Sequence, residues 1–515
     1  MAGLLPEKLK LKLEPFVGYQ LLDIITGGMY DDPLMVYREY IQNAVDSLDV
    51  AVQEGILSKG QGAITIEING TDRAVSIEDN GVGLGHDSAA NILLNIGFSP
   101  KDGAGQRGFR GIGRLGGLAY CDLLRFTTRA ASEKDVTVVE WDRKGLDALP
   151  KEAKKTKSLA QIVKGTVGVQ RRKPTLDERD HFFRVEMQGV RRFHSDKLMN
   201  VKAVRDYLGQ VGPVPYDASL FSHADRITEY FSDVPGYLSY QVAVNGKTVT
   251  RPYFNKIQVS TNITDEIKDV SLFEFSVNEA RLAKGWYALI DYRGALPVSV
   301  PMRGIRVRQG NIQIGDEYIL APYYLERRFA TWTIGEIHIC DYNIRPNARR
   351  DSFEQTREYE SFLEQTSILG RLLSQLCRKS SKERSNSLAV MRQLEEIESR
   401  LDSLGFFLDE EHRQSILATS CERLATAKRL IALSNDGELV KEKYSNIQTR
   451  VDQLSDNALF LSDVLDKTTM NADSGEIIGK ILKALQKEYG QCTSIEDLMQ
   501  RVLKPFLIDA SKTED

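Results

Sequence analysis

Apolar positions between Leu34 and Gln53 recur at helical spacing, directly after Asp31, Asp32 and Pro33, and this pattern predicts a helix. The period then changes. Ala63 to Asn69 and Ala74 to Glu78 alternate in strand fashion around Gly70 and Asp72, which predicts a hairpin. A glycine-rich stretch from Gly97 to Gly117 interrupts the pattern, and strand patterns resume at Asp122 to Arg129, Val136 to Trp141, Gly165 to Gln170 and Arg184 to Val190. Helices layered over one mixed sheet are the architecture this order predicts. Between two of these strands, Lys151 to Lys173 is rich in cations, including Lys154, Lys155, Lys157, Arg171, Arg172 and Lys173. It reads as a solvated loop, with a phosphate or nucleic-acid contact as the alternative.

A second α/β block is predicted from about Ser222 to Phe353, with hairpin signals at Asn245-Gly246 and Gln309-Gly310. From Pro346 to Pro505 no proline intervenes. Within that stretch Val390, Leu394, Ile397, Leu401, Leu404 and Leu408 alternate steps of four and three, as do Val440, Tyr444, Ile447, Val451 and Leu454. This is the seam of a coiled coil or long helical hairpin, with residues 409–436 as a middle helix; packing within one chain and dimerisation explain it equally well. The expected layout is therefore an α/β domain at 1–220, a middle α/β domain at 221–355, a helical or coiled-coil region at 356–470 and a small helical segment at 471–515.

Composition narrows the class. The 515 residues are 42% hydrophobic and 27% charged, and no window is long and apolar enough to span a bilayer, which argues against a membrane bundle and against wholesale disorder. A net charge of -4 provides no global field toward nucleic acid or anionic lipid, so any such contact must be local. Cys121, Cys340, Cys377, Cys421 and Cys492 are scattered and odd in number, and Met1 to Phe16 lacks the apolar run of a signal peptide. A cytoplasmic protein with reduced thiols is the expectation. The six histidines show no metal-ligand spacing.

The chemistry sits in the first block. Glu39, Asn43 and Asp46 are spaced by four and three on one face of the predicted helix. Asp79-Asn80-Gly81-Val82-Gly83 then places an acidic residue at a strand end, followed by two glycines that permit a tight turn close to a ligand. Asn95-Ile96-Gly97, Lys101 and Gly108-Phe109-Arg110-Gly111-Ile112-Gly113 come next, the last leading into a new apolar segment. Glycines opening a helix expose unpaired N–H groups that hold phosphates. There is no GxxxxGK[ST], so a P-loop is excluded.

In order and spacing these motifs resemble the ATP-binding fold shared by DNA gyrase, heat shock protein 90, sensor histidine kinases and MutL, the GHKL superfamily. The resemblance covers most of the first 220 residues. It implies an N-terminal Bergerat-type α/β sandwich that binds ATP and Mg²⁺, followed by a middle α/β domain of ribosomal-protein-S5-like type. By resemblance Glu39 polarises the attacking water, Asn43 completes a Mg²⁺ shell, Asp79 accepts from the adenine amino group and Gly83 lets the base lie against the backbone. Asp46 belongs to the same cofactor-binding helix. Asn95 and Lys101 resemble the start of a mobile lid, and Gly108, Gly111 and Gly113 its phosphate-contacting end. Gly165-Thr166, opening a strand, resembles the Gly-Thr pair whose hydroxyl joins the adenine network, which assigns Thr166 to the site.

Position within the chain separates the branches of this superfamily. Sensor kinases carry a histidine-bearing helix ahead of the ATP motifs, whereas here these motifs begin almost at once. Asn347-Ala348-Arg349-Arg350-Asp351 is similar to the catalytic loop of heat shock protein 90, which makes Arg350 the expected γ-phosphate contact; Arg303, Arg306 and Arg308 form an alternative cluster. The resemblance ends near Phe353. The expected function is a heat-shock-90-like ATPase, homodimeric, whose lid and domain closure gates a protein client or partner. The alternatives are a nucleic-acid clamp resembling MutL or the microrchidia ATPases, and a nucleotide-dependent scaffold in stress response or phage defence.

Overall fold

The computed structural model describes residues 17–20, 22, 32–96, 113–192, 194–402, 404, 410–432 and 438–467. Helix α1 spans Met35–Gln53. Asp32 starts it, its carboxylate accepting from Leu34 N at 3.1 Å. The helix ends where Gly55 takes a φ of 73° and turns the chain toward the sheet.

Strands β1 (Ala63–Asn69) and β2 (Ala74–Asp79) form the expected hairpin, pairing Ile64 with Asp79 and Asn69 with Ala74. Its turn is held by Asn69 Oδ1, which accepts from the backbone of Thr71 at 3.0 Å and Asp72 at 3.1 Å. Helix α2 (His86–Leu94) comes next, and a 3-10 turn at Gly113–Ala119 leads to β3 (Leu123–Arg129) and β4 (Val136–Asp142). The cationic stretch expected to be a loop is ordered: α3 (Arg143–Ala148), α4 (Lys151–Thr156) and α5 (Leu159–Thr166) precede β5 (Val167–Arg172). Then come β6 (Phe182–Gln188), α6 (Val201–Val211), α7 (Ala224–Tyr230), β7 (Gln241–Val244) and β8 (Lys247–Thr248).

These strands make one eight-stranded sheet in the order β5-β4-β3-β6-β2-β1-β7-β8. Against it α1 buries Val36, Tyr37, Ile41, Ala44, Val45 and Leu48, and α6 adds Val204 and Leu208. The boundary expected at residue 220 is corrected by this topology. Residues Tyr216, Phe221, Ile227 and Phe231 belong to a second core, yet the chain then returns to place β7 parallel to β1 in the first sheet.

The second sheet is built from β11 (Asp269–Val277), β12 (Ala280–Leu289), β13 (Gly304–Gln309), β14 (Ile312–Ile314) and β15 (Ile334–Ile339), ordered β11-β12-β15-β13-β14. A separate hairpin, β9 (Lys256–Ser260) with β10 (Ile263–Glu266), precedes it. The start of α8 (Arg357–Asp402) closes this core with Phe362, Leu369 and Leu373. The described residues up to Cys377 form one compact unit. The fold is mixed α/β with several sheets and a C-terminal helical region, as expected.

The second unit begins at Arg378. In it the rest of α8 packs with α9 (Glu410–Ala432) and α10 (Glu438–Lys467). Both heptad stripes are spent inside this one chain: Val390, Leu394, Ile397 and Leu401 meet Leu417, Leu424, Val440, Ile447 and Val451. Arg423–Glu396 at 2.6 Å and Arg450–Asp402 at 2.7 Å bracket that core. Leu408 and the segment 471–515 lie outside the described residues. Among the described residues no helix is long and apolar enough to cross a membrane.

Candidate nucleotide-binding site

The polar face of α1 lies over the end of β2. Glu39 and Asp46 are buried, at 9% and 5% exposure, and Asn43 is half-buried. Asp79 ends β2 at 3% exposure, with its carboxylate accepting from Gly81 N at 2.9 Å and from Ser47 of α1. Burial pushes this carboxyl up to about 7, against those hydrogen bonds. A buried carboxylate with a neutral hydroxyl and an amide as its neighbours has acceptor capacity to spare for an external N–H donor.

The turn after Asp79 requires both of its glycines for packing reasons. A Cβ at Gly81 would lie 2.1 Å from Ser47 Oγ, and one at Gly83, whose φ is 64°, would lie 2.0 Å from the carbonyl of Arg129. The space beside the Cα of Gly83 is therefore filled by β3, which differs from the expected role of admitting the base. His181, just before β6, faces the same turn and donates from Nδ1 to Gly81 O at 2.8 Å.

On the other side of Glu39 the 3-10 turn closes in. A Cβ at Gly113 would lie 2.2 Å from Glu39 Oε2, and Gly117 N donates to the Tyr40 hydroxyl at 2.9 Å. Asn95, exposed at the end of α2, accepts from Arg114 through its carbonyl at 2.8 Å, so the two flanks of the glycine-rich stretch are tied together. Lys101, Gly108 and Gly111 lie outside the described residues.

From the loop after β15, Arg350 reaches the same carboxylate. Its Nε is 3.5 Å from Glu39 Oε1, and both side chains are about nine-tenths buried, at 12% and 11% exposure. Arg350 sits at φ 56°, with its carbonyl accepting from Gly315 N at 2.9 Å. Arg38, 3% exposed, donates to the carbonyl of Arg349 at 3.1 Å and fastens the loop to α1.

Two expectations are corrected. Thr166 ends α5, its hydroxyl donates to Ile162 O at 2.8 Å, and β5 begins only after it. Four strand spacings of about 4.8 Å separate β5 from the strand of Asp79, so Thr166 is not brought to this site. The arginine alternative also fails on geometry: Arg306 bonds Pro301 O at 2.8 Å and Glu317 at 3.4 Å, Arg303 pairs with Glu317 at 2.7 Å, and Arg308 is held by Glu336 at 2.9 Å. The cations of the 151–173 stretch are partly taken up as well, Arg172 by Glu178 at 2.6 Å and Lys173 by Asp135 at 2.7 Å.

Sequence reasoning missed Arg38, Ser47 and His181. A charged residue within the core-facing run of α1 was the available sign of Arg38. No spacing points to His181, because only the sheet order sets β6 beside β2.

Residues 35–166 match the model of the histidine kinase-, DNA gyrase B- and HSP90-like ATPase family. The N-terminal domain is a GHKL ATPase domain. Relatives of the chain include chaperone protein HtpG of Rhodococcus jostii, 28% identical over 24% of this chain and 22% of that protein, and HtpG of Polaromonas sp., 25% identical over 35% and 30%. HtpG of Hydrogenovibrio crunogenus is 29% identical over 27% of this chain and 25% of its own length. The chain thus spans between a fifth and a third of the length of these relatives.

In this GHKL domain His181→Ala is expected to weaken ATP binding about two- to tenfold, the worth of one hydrogen bond to a turn that shapes the site. His181→Asn, whose amide N–H can replace the ring N–H, should recover most of it. Titration calorimetry checks this, and equal affinity in all three proteins would show that the Gly81 carbonyl needs no such partner.

Proposed function

We propose that the chain is an HSP90-like ATPase that binds ATP with Mg²⁺ and hydrolyses it to drive lid and domain closure, so gating a protein client or partner. The observation carrying this reading is the meeting at 3.5 Å of Glu39, on helix α1, with Arg350, in the loop after β15, two distant parts of the chain. A fixed guanidinium beside a buried carboxylate suits transfer of a phosphoryl group to water: Glu39 orients and deprotonates the water, and Arg350 neutralises charge on the phosphoryl oxygens.

Asp79 is assigned the adenine amino group. Asp46, Asn95, Lys101, Gly108, Gly111 and Gly113 are assigned to holding the nucleotide. Among the described residues no three His, Cys, Asp or Glu side chains are grouped to hold a metal. Asn43 fits a more modest role: its neutral amide oxygen would help hold a Mg²⁺ bound together with the nucleotide. When bound, that ion neutralises phosphate charge. Homodimerisation and a cytoplasmic location complete the proposal. The partial neutralisation of the 151–173 cations by Glu178 and Asp135 weighs against the nucleic-acid clamp.

Glu39→Ala tests the reading. Nucleotide affinity should hold within a fewfold, while hydrolysis falls by about 10²-fold or more, the scale of a positioned general base. Parental turnover in this variant, followed by phosphate release, would remove Glu39 from the chemistry.

A further inference from the structure

Between the two sheets a single carboxylate gathers five polar side chains. Glu336 of β15 has no exposed surface. It is met by Arg251, by Arg308 Nε at 2.9 Å, by the hydroxyls of Tyr216 at 2.7 Å and Tyr253 at 3.0 Å, and by His338 Nε2 at 3.2 Å. Burial alone would raise its pKa, yet the two guanidiniums hold it well below the carboxylate range. Burial also pushes His338 down to about 4, so it serves as a neutral donor.

Further N–H groups of the two arginines reach the connecting backbone, and both arginines also meet Asn311, Arg251 at its side-chain oxygen and Arg308 at its carbonyl. Arg251 Nε donates to Val214 O at 2.9 Å, and Arg308 donates to Gly212 O at 3.2 Å and to Gln210 O. The Gln210 and Gly212 carbonyls lie at the end of α6, so Arg308 caps the negative end of that helix. Helix α6 belongs to the first core and β13 and β15 to the second, so the cluster bonds one to the other. The Arg350 loop hangs from β13 and from the end of its partner β14: Gln309, next to Arg308, donates to Ile344 O at 2.8 Å, and Gly315 N, just after β14, donates to Arg350 O at 2.9 Å.

We propose that the cluster of Arg308, Glu336, Arg251 and Tyr216 is the joint that holds Arg350 against Glu39, with Arg308 and Glu336 as positioning residues for hydrolysis. This rests on the ATPase reading and deepens it. A fully buried ion cluster adds little net stability over apolar packing of equal volume, because desolvation offsets the attraction. Its forked, directional bonds instead fix orientation, which is what a residue acting across two cores needs.

The test uses the full chain. Arg308→Lys keeps the charge but loses the fork, and Tyr216→Phe removes one hydroxyl from Glu336 and from Arg251, whose Nη1 donates to it at 3.0 Å. Each is made in the natural background and with Arg350→Ala, and kcat, KM and the ATP Kd are measured. The expected result is a kcat lower by about two- to thirtyfold, the range of coupling through a connected network, with KM and Kd unchanged and no further loss in the Arg350→Ala background. Tyr216→Phe keeps the test open if Arg308→Lys does not fold. Parental kcat beside a slow Arg350→Ala overturns the joint, as does an equal loss in both backgrounds. Parental turnover of Arg350→Ala overturns the role of Arg350, and the joint's purpose with it.

Discussion

Asp79→Asn is expected to raise the thermal stability of the ligand-free protein while removing ATP binding. Burial, helped by the charge of Glu78, holds the Asp79 carboxyl at about 7 against an ordinary 3.8, despite hydrogen bonds from Gly81 and Ser47 and the opposing charge of Arg179. Keeping it ionised above pH 7 costs the folded state about 4 kcal/mol. The cost is absent below pH 3.8, grows as the pH rises toward about 7 and is complete beyond it. The neutral amide escapes it, so the gain in melting temperature should be several degrees at pH 8 and vanish near pH 4. Equal gains at both values would mean that ionisation of Asp79 is not what strains the site.

Under the proposed assignment of Asp79 to the adenine amino group, the same substitution turns an acceptor into a donor, and affinity should fall by about a hundredfold or more. Parental affinity should itself weaken as the pH drops below about 7, by up to about tenfold per pH. Calorimetric titration of ATP at pH 6 and pH 8 measures both effects. Retained binding in Asp79→Asn would take the adenine contact away from this residue.

How much was legible depends on what periodicity encodes. Local pattern placed α1 and the β1–β2 hairpin to within a residue, because each buries one face of its own period. The face carrying Glu39, Asn43 and Asp46 was legible for the same reason. Sheet order was not, since β6 inserts between β3 and β2 and β7 returns to β1 after an excursion into the second core. Those two crossings explain the misplaced boundary at 220, the unforeseen His181 and the misassigned Thr166. The heptad stripes were readable as stripes, but a stripe does not name its partner; here Val390 and Leu394 face α9 and α10 of their own chain. Arg350 was legible only through the resemblance of its loop, since no spacing relates it to Glu39.

Arg350→Ala should reduce ATP hydrolysis by about 10³-fold or more, in keeping with the 10³ to 10⁵ carried by transferred-charge arginines elsewhere, and leave ATP affinity nearly unchanged. The reasoning is geometric. Its guanidinium sits 3.5 Å from Glu39, while its backbone is held by Gly315 and its neighbour Arg349 by Arg38, so the side chain is presented and not merely nearby. Arg306→Ala is the matched control. Arg306 is equally cationic and buried but is committed to Pro301 O and Glu317, so its loss should lower the melting temperature and leave turnover per folded molecule within a fewfold of the parent. Steady-state phosphate release and calorimetric ATP titration, with melting curves for both variants, separate the two. Silenced turnover in Arg306→Ala beside normal turnover in Arg350→Ala would reverse the assignment. The Glu39–Arg350 contact would then be a structural ion pair whose removal costs stability and not rate.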